Sequence, residues 1–184
     1  IRKVVNTTQI IVRVAGVCDL SGGYSGDNAS ASTAQFSTPS GVAVSSKGEV
    51  VIADLNNFRI RKIATNGIIN TIAGNGEPVF SGESGIAIDA SLNSPTSVTV
   101  TNNGEVFICE SVKIRKVDRN GVIIVVAGNG MWGFGGDGGS ALNAMLSNVG
   151  DVVVTETGDV LFADISNNRI RKVFRNGTIV TIAG

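Results

Sequence analysis

Gly48-Glu-Val-Val-Ile-Ala-Asp54, then Asn57-Phe-Arg-Ile-Arg-Lys-Ile63, then Asn66-Gly67 and Ile68-Ile-Asn-Thr-Ile-Ala-Gly74, is the stretch that decides how this chain folds. Each apolar run is short, rich in Val and Ile, and bounded by Gly, Asn or Asp. That composition reads as strands joined by tight turns. Asn-Gly between two apolar runs is the strongest short hairpin signal, and it predicts a type I′ turn with positive φ at both central residues. Together with the residues just before it, the stretch predicts strand a at Gly41–Ser45, b at Glu49–Asp54, c at about Phe58–Ala64 and d at Ile68–Ala73.

Working outward, the same phrase returns along the chain. Val/Ile-Ala-Gly ends at Gly16, Gly74, Gly128 and Gly184, with spacings of 58, 54 and 56 residues. Ile-Arg-Lys-Val/Ile occurs at Ile1–Val4, Ile60–Ile63, Ile114–Val117 and Ile170–Val173. Lys47-Gly48, Asn103-Gly104 and Thr157-Gly158 separate a from b, and Asn120-Gly121 and Asn176-Gly177 repeat the c–d turn. A fixed period of this length marks a repeat architecture. The strands are apolar on both faces, as at Val106–Cys109, so both faces must be packed. A propeller does this by stacking blade on blade. The expected fold class is therefore all-β, a β-propeller of four-stranded antiparallel blades. A c–d hairpin occupies residues 1–16, and blades occupy 17–74, 75–128 and 129–184. Three blades and a hairpin fall short of the usual ring. The expectation is a portion of a larger propeller, or a subunit that packs against others.

Composition narrows the function. Lys plus Arg equals Asp plus Glu at 15 each, which argues against a wholesale polyanion binder. His is absent, which removes the commonest general base and metal ligand. No apolar run is long enough to span a membrane as a helix. Two cysteines, Cys18 and Cys109, make no disulfide framework. Cys109 stands where other copies carry Ala53 and Ala163, so it is expected to be a small buried residue, unpaired with Cys18.

Long connections lead from each strand d to the next strand a. Each carries an aromatic residue, a Gly-acid pair and an Ala-x-Phe/Leu close. These are Tyr24, Asp27, Ala34 and Phe36, then Phe80, Glu83, Ala90 and Leu92, then Phe134, Asp137, Ala144 and Leu146. Structureless loops of this length are uncommon, so the connections are expected to pack, with a short helical turn before strand a.

Pro39-Ser-Gly-Val-Ala-Val, Gly48-Glu-Val-Val-Ile-Ala-Asp54 and Asn57-Phe-Arg-Ile60 resemble the NHL repeat. Gly158-Asp-Val-Leu-Phe-Ala-Asp164 with Asn168-Arg-Ile170 repeats it. The stretch Gly128-Asn-Gly130 through Gly133-Phe-Gly-Gly-Asp-Gly-Gly-Ser-Ala141 is similar to a long form of that repeat. The resemblance covers nearly the whole chain and implies a β-propeller. It implies little about activity, because such propellers bind proteins, peptides, RNA or ligands, and a few are lyases. The second copy departs: Glu110 replaces Asp, Lys113 replaces Arg, and the b–c turn is two residues shorter.

Several side chains carry competing readings. Asp54 with Arg59 and Asp164 with Arg169, with Glu110 and Lys113 between, read as corner ion pairs rather than as a ligand ring. The Arg-Lys clusters read as edge protection on outer strands rather than as an RNA-reading belt, since no aromatics interleave them. Asp27, Glu83 and Asp137 each offer one carboxylate per loop, which is thin for Ca²⁺ and better suited to accepting turn N–H groups. The Gly-rich stretch after Gly128 lacks the Lys-Ser/Thr of a phosphate loop. Trp132 is either a binding anchor or a lid over a blade junction. Asn6, Asn28 and Asn176 lie in sequons that permit glycosylation.

The b–c and d–a loops should emerge on one face, which would hold Asn56, Asn57, Phe58, Trp132, Asn167 and Asn168. Loops on a rigid scaffold commonly carry recognition. The sequence thus reads as a non-enzymatic scaffold with no cofactor and no metal. It would bind a protein partner, or further blades or copies of its own kind, in an extracellular or secretory setting. The alternatives are the propeller portion of a metal-dependent lyase or hydrolase, and an RNA-binding propeller.

Overall fold

A computed structural model describes residues 1–17 and 22–184; Cys18 lies outside the described residues. The chain is all-β, as expected, and its only helical segments among the described residues are four single 3₁₀ turns. A first hairpin pairs β1 (Arg2–Val5) with β2 (Ile10–Arg13). The first full sheet holds β3 (Ala29–Ser30), β4 (Pro39–Val44), β5 (Val50–Asp54), β6 (Arg59–Ile63) and β7 (Ile68–Ala73), ordered β3-β7-β6-β5-β4. The second holds β8 (Ser84–Ile86), β9 (Ser97–Val100), β10 (Val106–Cys109), β11 (Ile114–Val117) and β12 (Val122–Ala127), ordered β8-β12-β11-β10-β9. The third runs β13 (Val149–Val154), β14 (Val160–Asp164), β15 (Arg169–Val173) and β16 (Ile179–Ala183) in sequence order.

In each full sheet the four blade strands form an antiparallel meander. The connections add a feature that the sequence reading lacked. Part of each connection pairs along the outermost strand: β3 on β7, β8 on β12, and the single bridge of Ser140 to Thr178 on the third blade. The outer edge of each blade is thereby covered, which limits stray strand pairing. The expected short turn before the inner strand is present at Ala31–Thr33 and Ala141–Asn143.

The c–d hairpins differ from expectation in one respect. Gly67, Gly121 and Gly177 have φ of 82°, 77° and 84°, but the preceding asparagines are not left-handed. The loop is a type I turn closed by a left-handed glycine, rather than a type I′ turn. The Gly67 N–H donates to the Ala64 carbonyl, and the Ala64 N–H donates to Ile68. Asn66 serves through its side chain, whose Oδ1 accepts the Ile68 N–H at 3.1 Å. The a–b turns at Gly48, Gly104 and Gly158 use the same device.

The core lies between sheets. One cluster joins the first hairpin to the first blade through Ala15, Ala31, Ala34, Ile52 and Ile69. Another joins the first and second blades through Ala53, Ile60, Ala90, Leu92 and Ile108. A third joins the second and third through Cys109, Ile114, Ala144, Leu146 and Phe162. The innermost strands approach closely: a Cβ at Gly41 would sit 2.8 Å from the Ser97 Cα.

Candidate functional site: the loop-rich end and its buried arginines

The b–c turns and the d–a connections meet at one end of the sheets. In the first blade the Asn57 Nδ2 donates to the Gly23 carbonyl at 2.7 Å and to Asp54 Oδ2 at 2.8 Å. In the third, Asn167 Nδ2 donates to the Gly133 carbonyl and to Asp164 Oδ2, both at 2.8 Å. These asparagines clamp connection to corner, so their amides are committed within the fold. Asn56 is exposed and donates to Thr38 Oγ1 at 2.8 Å. Phe58 and Asn168 close the 3₁₀ turns Leu55–Asn57 and Ile165–Asn167 in left-handed conformations, with φ of 52° and 54°. The second blade, two residues shorter here, has no such turn.

The predicted pairing of Asp54 with Arg59 and of Asp164 with Arg169 is overturned. The arginine at each corner aspartate is the next one along, two residues on and on the same face of the strand. Arg61 Nη1 lies 3.5 Å from Asp54, and Arg171 Nη1 lies 3.4 Å from Asp164, with all four side chains fully buried. Between Ile60 and Arg61 the register with β7 shifts, leaving Ile72 unmatched, and the same shift recurs at Ile114/Arg115 and Ile170/Arg171. The extra residue lies on strand d, so strand c keeps its regular alternation.

Each buried guanidinium also gathers the connection. Arg61 Nη2 meets Asp27 Oδ1 at 2.7 Å and the Ser25 carbonyl at 3.0 Å. Arg171 Nη2 meets Asp137 Oδ1 at 2.7 Å and the Gly135 carbonyl at 2.8 Å. Asp27 and Asp137 also accept from strand d, at the Thr71 and Thr181 N–H groups. Burial pushes against ionisation of both. The hydrogen bonds and the arginine charge outweigh it and hold both carboxyls below the ordinary range. The expectation that these acids serve turn N–H groups is corrected: they bind the blade's arginine and its outer strand.

Arg59 and Arg169 stack instead. Their guanidinium carbons lie 3.8 Å from the ring centroids of Tyr24 and Phe134. This explains the recurrent aromatic in the connections. The reading of the Arg-Lys clusters as surface charge is likewise overturned for its middle residues, since Arg61, Arg115 and Arg171 are buried. The lysines do lie outward, and Lys62, Lys116 and Lys172 pair with Glu49, Glu105 and Asp159.

The second blade carries an imperfect copy. Glu110 is buried, and its Oε1 accepts the Asn93 N–H at 2.7 Å. With no corner asparagine, Oε2 has no hydrogen-bond partner among the described residues, and Arg115 stands off at 3.9 Å. Burial pushes Glu110 up to about 7. Glu83 turns away from Arg115 to Lys113. Cys109, buried beside it, has its thiol pushed up by burial.

The exposed apolar surface at this end is formed by Met131 at 64%, Trp132 at 63%, Phe134 and Ile165. Trp132 bridges to Leu146 through its backbone, so the segment is held although the indole is open. Sequence reading singled out Trp132 and did not name Met131 or Ile165. Asn6, Asn28 and Asn176 are all exposed, and Asn28 has φ of 63°.

Comparison with known proteins agrees with the fold. Human Teneurin-1 is 30% identical over 145 residues, covering 66% of this chain and 5% of that protein. The Arabidopsis thaliana protein SUPPRESSOR OF QUENCHING 1, chloroplastic, is 28% identical over 155 residues, covering 78% of this chain and 14% of that protein. The chain therefore spans a small part of the curated relatives it matches. Among solved structures, a structural-genomics protein from Bacteroides thetaiotaomicron aligns at a TM-score of 0.69 and 21% identity, over 90% of this chain and 39% of that one. Virginiamycin B lyase from Staphylococcus aureus aligns at 0.53 and 22%, over 79% and 41%. At these identities the two structures show a shared fold alone. The Teneurin NHL domain profile matches residues 6–81 and 77–135, and on that match this chain belongs to the teneurin NHL domain family.

Proposed function

We propose that this chain is a non-enzymatic propeller scaffold that binds a protein partner through its loop-rich end. The observation that carries the reading is the exposed patch of Met131, Trp132, Phe134 and Ile165, mounted on a rigid corner. A large exposed aromatic beside Met and Ile suits a hot spot, since aromatic and Met side chains are enriched at interface centres. Asn56, Phe58 and Asn168 flank the equivalent corners, while Asn57 and Asn167 hold the loops in shape.

Charge supports a protein partner over RNA. In the three blades the central arginine of the cluster is inside and its lysine neighbour is matched by a carboxylate, while Arg2 and Lys3 of the first hairpin are exposed. The blades therefore offer no continuous basic belt to track phosphates. For the lyase or hydrolase alternative, no three His, Cys, Asp or Glu side chains gather among the described residues. The exposed sequon at Asn176, on a c–d turn, suits an extracellular or secretory setting.

The experiment is affinity capture from secreted and cell-surface protein, with the wild type and Trp132→Ala side by side. Trp132 is open, so its truncation should leave melting unchanged. A protein retained by the wild type and lost with the variant supports the reading. Retention of the same proteins by both overturns it.

A further inference from the structure

The second blade packs against the first on one face and the third on the other, yet its outer rim differs from theirs. The rim forms where a connection lies along strand d. Here Ile86 of β8 stands opposite Val122 of β12, and Ile124 lies two residues further along the same face. Ile88 follows Ile86 beyond the buried Ala87. Ile86 and Ile88 are 62% and 51% exposed, and Val122 and Ile124 are exposed as well.

Equivalent positions in the other blades are more polar. Those of Ile86, Ile88 and Ile124 hold Ser30, Ser32 and Asn70 in the first blade, and Ser140, Leu142 and Val180 in the third. The strands are the same in all three, so the fold does not require isoleucine here. An exposed apolar patch without a folding role marks an interaction site. Acids border it. Asp89 follows Ile88, and Asp118 sits on the c–d turn, where its Oδ1 accepts the Val122 N–H at 2.8 Å. Their equivalents are Thr33 and Ala64 in the first blade, and Asn143 and Phe174 in the third. The basic groups of this blade are committed elsewhere: Lys113 to Glu83, Lys116 to Glu105, and Arg115 and Arg119 to the Ser91 and Asn103 carbonyls. Asp89 and Asp118 are left without an ion pair among the described residues.

The backbone at the rim offers an edge. β8 covers the edge of β12 but is itself the last strand of its sheet among the described residues. The Ala87 N–H donates to the Gly121 carbonyl, and bonded positions alternate along an antiparallel ladder. Ser84 and Ile86 therefore turn their N–H groups away from β12, and both residues are exposed.

We propose that the β8 rim of the second blade is a docking site for an extended segment of a partner protein, one that alternates β-branched residues with Lys or Arg. The segment adds to β8 as a further strand, bonding at Ser84 and Ile86, as extended peptides do at exposed sheet edges. Its apolar side chains cover Ile86, Val122 and Ile124, and its cations meet Asp89 and Asp118. A twofold pairing of this rim with a second copy would set acid against acid, which disfavours that occupant. The surface is separate from the loop-rich end that carries Trp132, because Val122 opens strand d at the c–d turn, at the other end of the blade.

The test pans the immobilised 184-residue chain with a display library of random linear heptapeptides. Enriched sequences should alternate Val, Ile or Thr with Lys or Arg. A synthetic copy of the leading peptide, followed by fluorescence anisotropy, should bind about tenfold more weakly to the double variant Ile86→Ser, Ile124→Asn. The first blade carries those residues at the equivalent positions, so the melting temperature should be kept. Asp89→Asn, which installs the third blade's residue, should weaken binding and reduce its salt dependence. N-methylation of alternate peptide nitrogens should abolish binding, and Trp132→Ala should leave it unchanged. No enriched peptide overturns the proposal. So does a peptide that the double variant binds as tightly as the wild type, or one lost with Trp132→Ala. Self-association of the chain that the double variant abolishes, without peptide uptake, gives the rim to a second copy and overturns it as well.

Discussion

Arg61 Nη2 lies 2.7 Å from Asp27 Oδ1, and this one contact joins strand c of the first blade to a connection 34 residues upstream. Arg171 and Asp137 repeat it across the same sequence separation. The guanidinium is the hub of its blade: it holds the corner aspartate, the connection acid and two connection carbonyls. Its planar fork suits this, and a lysine would satisfy fewer acceptors.

Replacing Arg171 by Met should therefore leave Asp164 buried without its cation. The expected cost is about 3–5 kcal/mol, the usual penalty for removing one partner of a buried ion pair. Arg2→Met should cost under about 0.5 kcal/mol, as for surface substitutions generally, because Arg2 is exposed on the first hairpin. Chemical denaturation of both variants checks the contrast. Equal losses would mean that the buried hub contributes no more than a surface charge.

Glu110 should make stability depend on pH. Its carboxyl is held up at about 7, against an ordinary 4.5, by burial, and the charges facing it are Arg115 and Lys113. The folded protein keeps a proton that the unfolded chain releases between those values. Stability is thus full below about pH 4.5 and falls as pH rises towards 7, by roughly 3 kcal/mol. Asp54, also pushed up by burial, acts in the same direction. Asp27 and Asp137, held down, act oppositely, and their contribution is lost below about pH 4. Denaturation at several pH values should show a shallower slope in Glu110→Gln between pH 5 and 7. An unchanged slope would acquit Glu110.

Two glycines should respond differently to alanine. Gly121 has φ of 77° and nothing within 4 Å of a built Cβ, so Gly121→Ala pays for backbone conformation alone, about 1 kcal/mol. Gly128 has φ of 97° and a carbonyl where the Cβ would go, so Gly128→Ala must also displace backbone. It should cost clearly more, on the order of 3 kcal/mol. Melting temperatures of the pair check the order, and a reversal would contradict the docking of Gly128 against the corner.

Cys109 should resist thiol reagents in the folded protein. It is fully buried and its thiol is pushed up, so the reactive thiolate is scarce. Peptide mapping after alkylation should find Cys109 unmodified under native conditions and modified in denaturant. Rapid native labelling would show that the interface of the second and third blades opens.

The sequence by itself determined the repeat, the four strands of each blade and the glycine at each turn. These rest on local chemistry: β-branched runs, and glycines where the backbone turns left-handed. It also placed the b–c and d–a loops at one end, because strand direction alternates. Tertiary structure alone decided which arginine goes inside. Arg59 and Arg61 are two residues apart, and an alternating strand would put both on one face. Both guanidinium groups reach the Tyr24 ring, at 3.8 and 4.8 Å, but Arg61 is fully buried on Asp54 and Asp27 whereas Arg59 donates to the Asn57 and Asn75 carbonyls. Likewise Ala87, Ala90 and Leu92 look like a weak helical pattern in sequence. They are buried only because the neighbouring blade sets Ala53, Ile60 and Ala73 against them, a partnership between distant segments that no local pattern encodes.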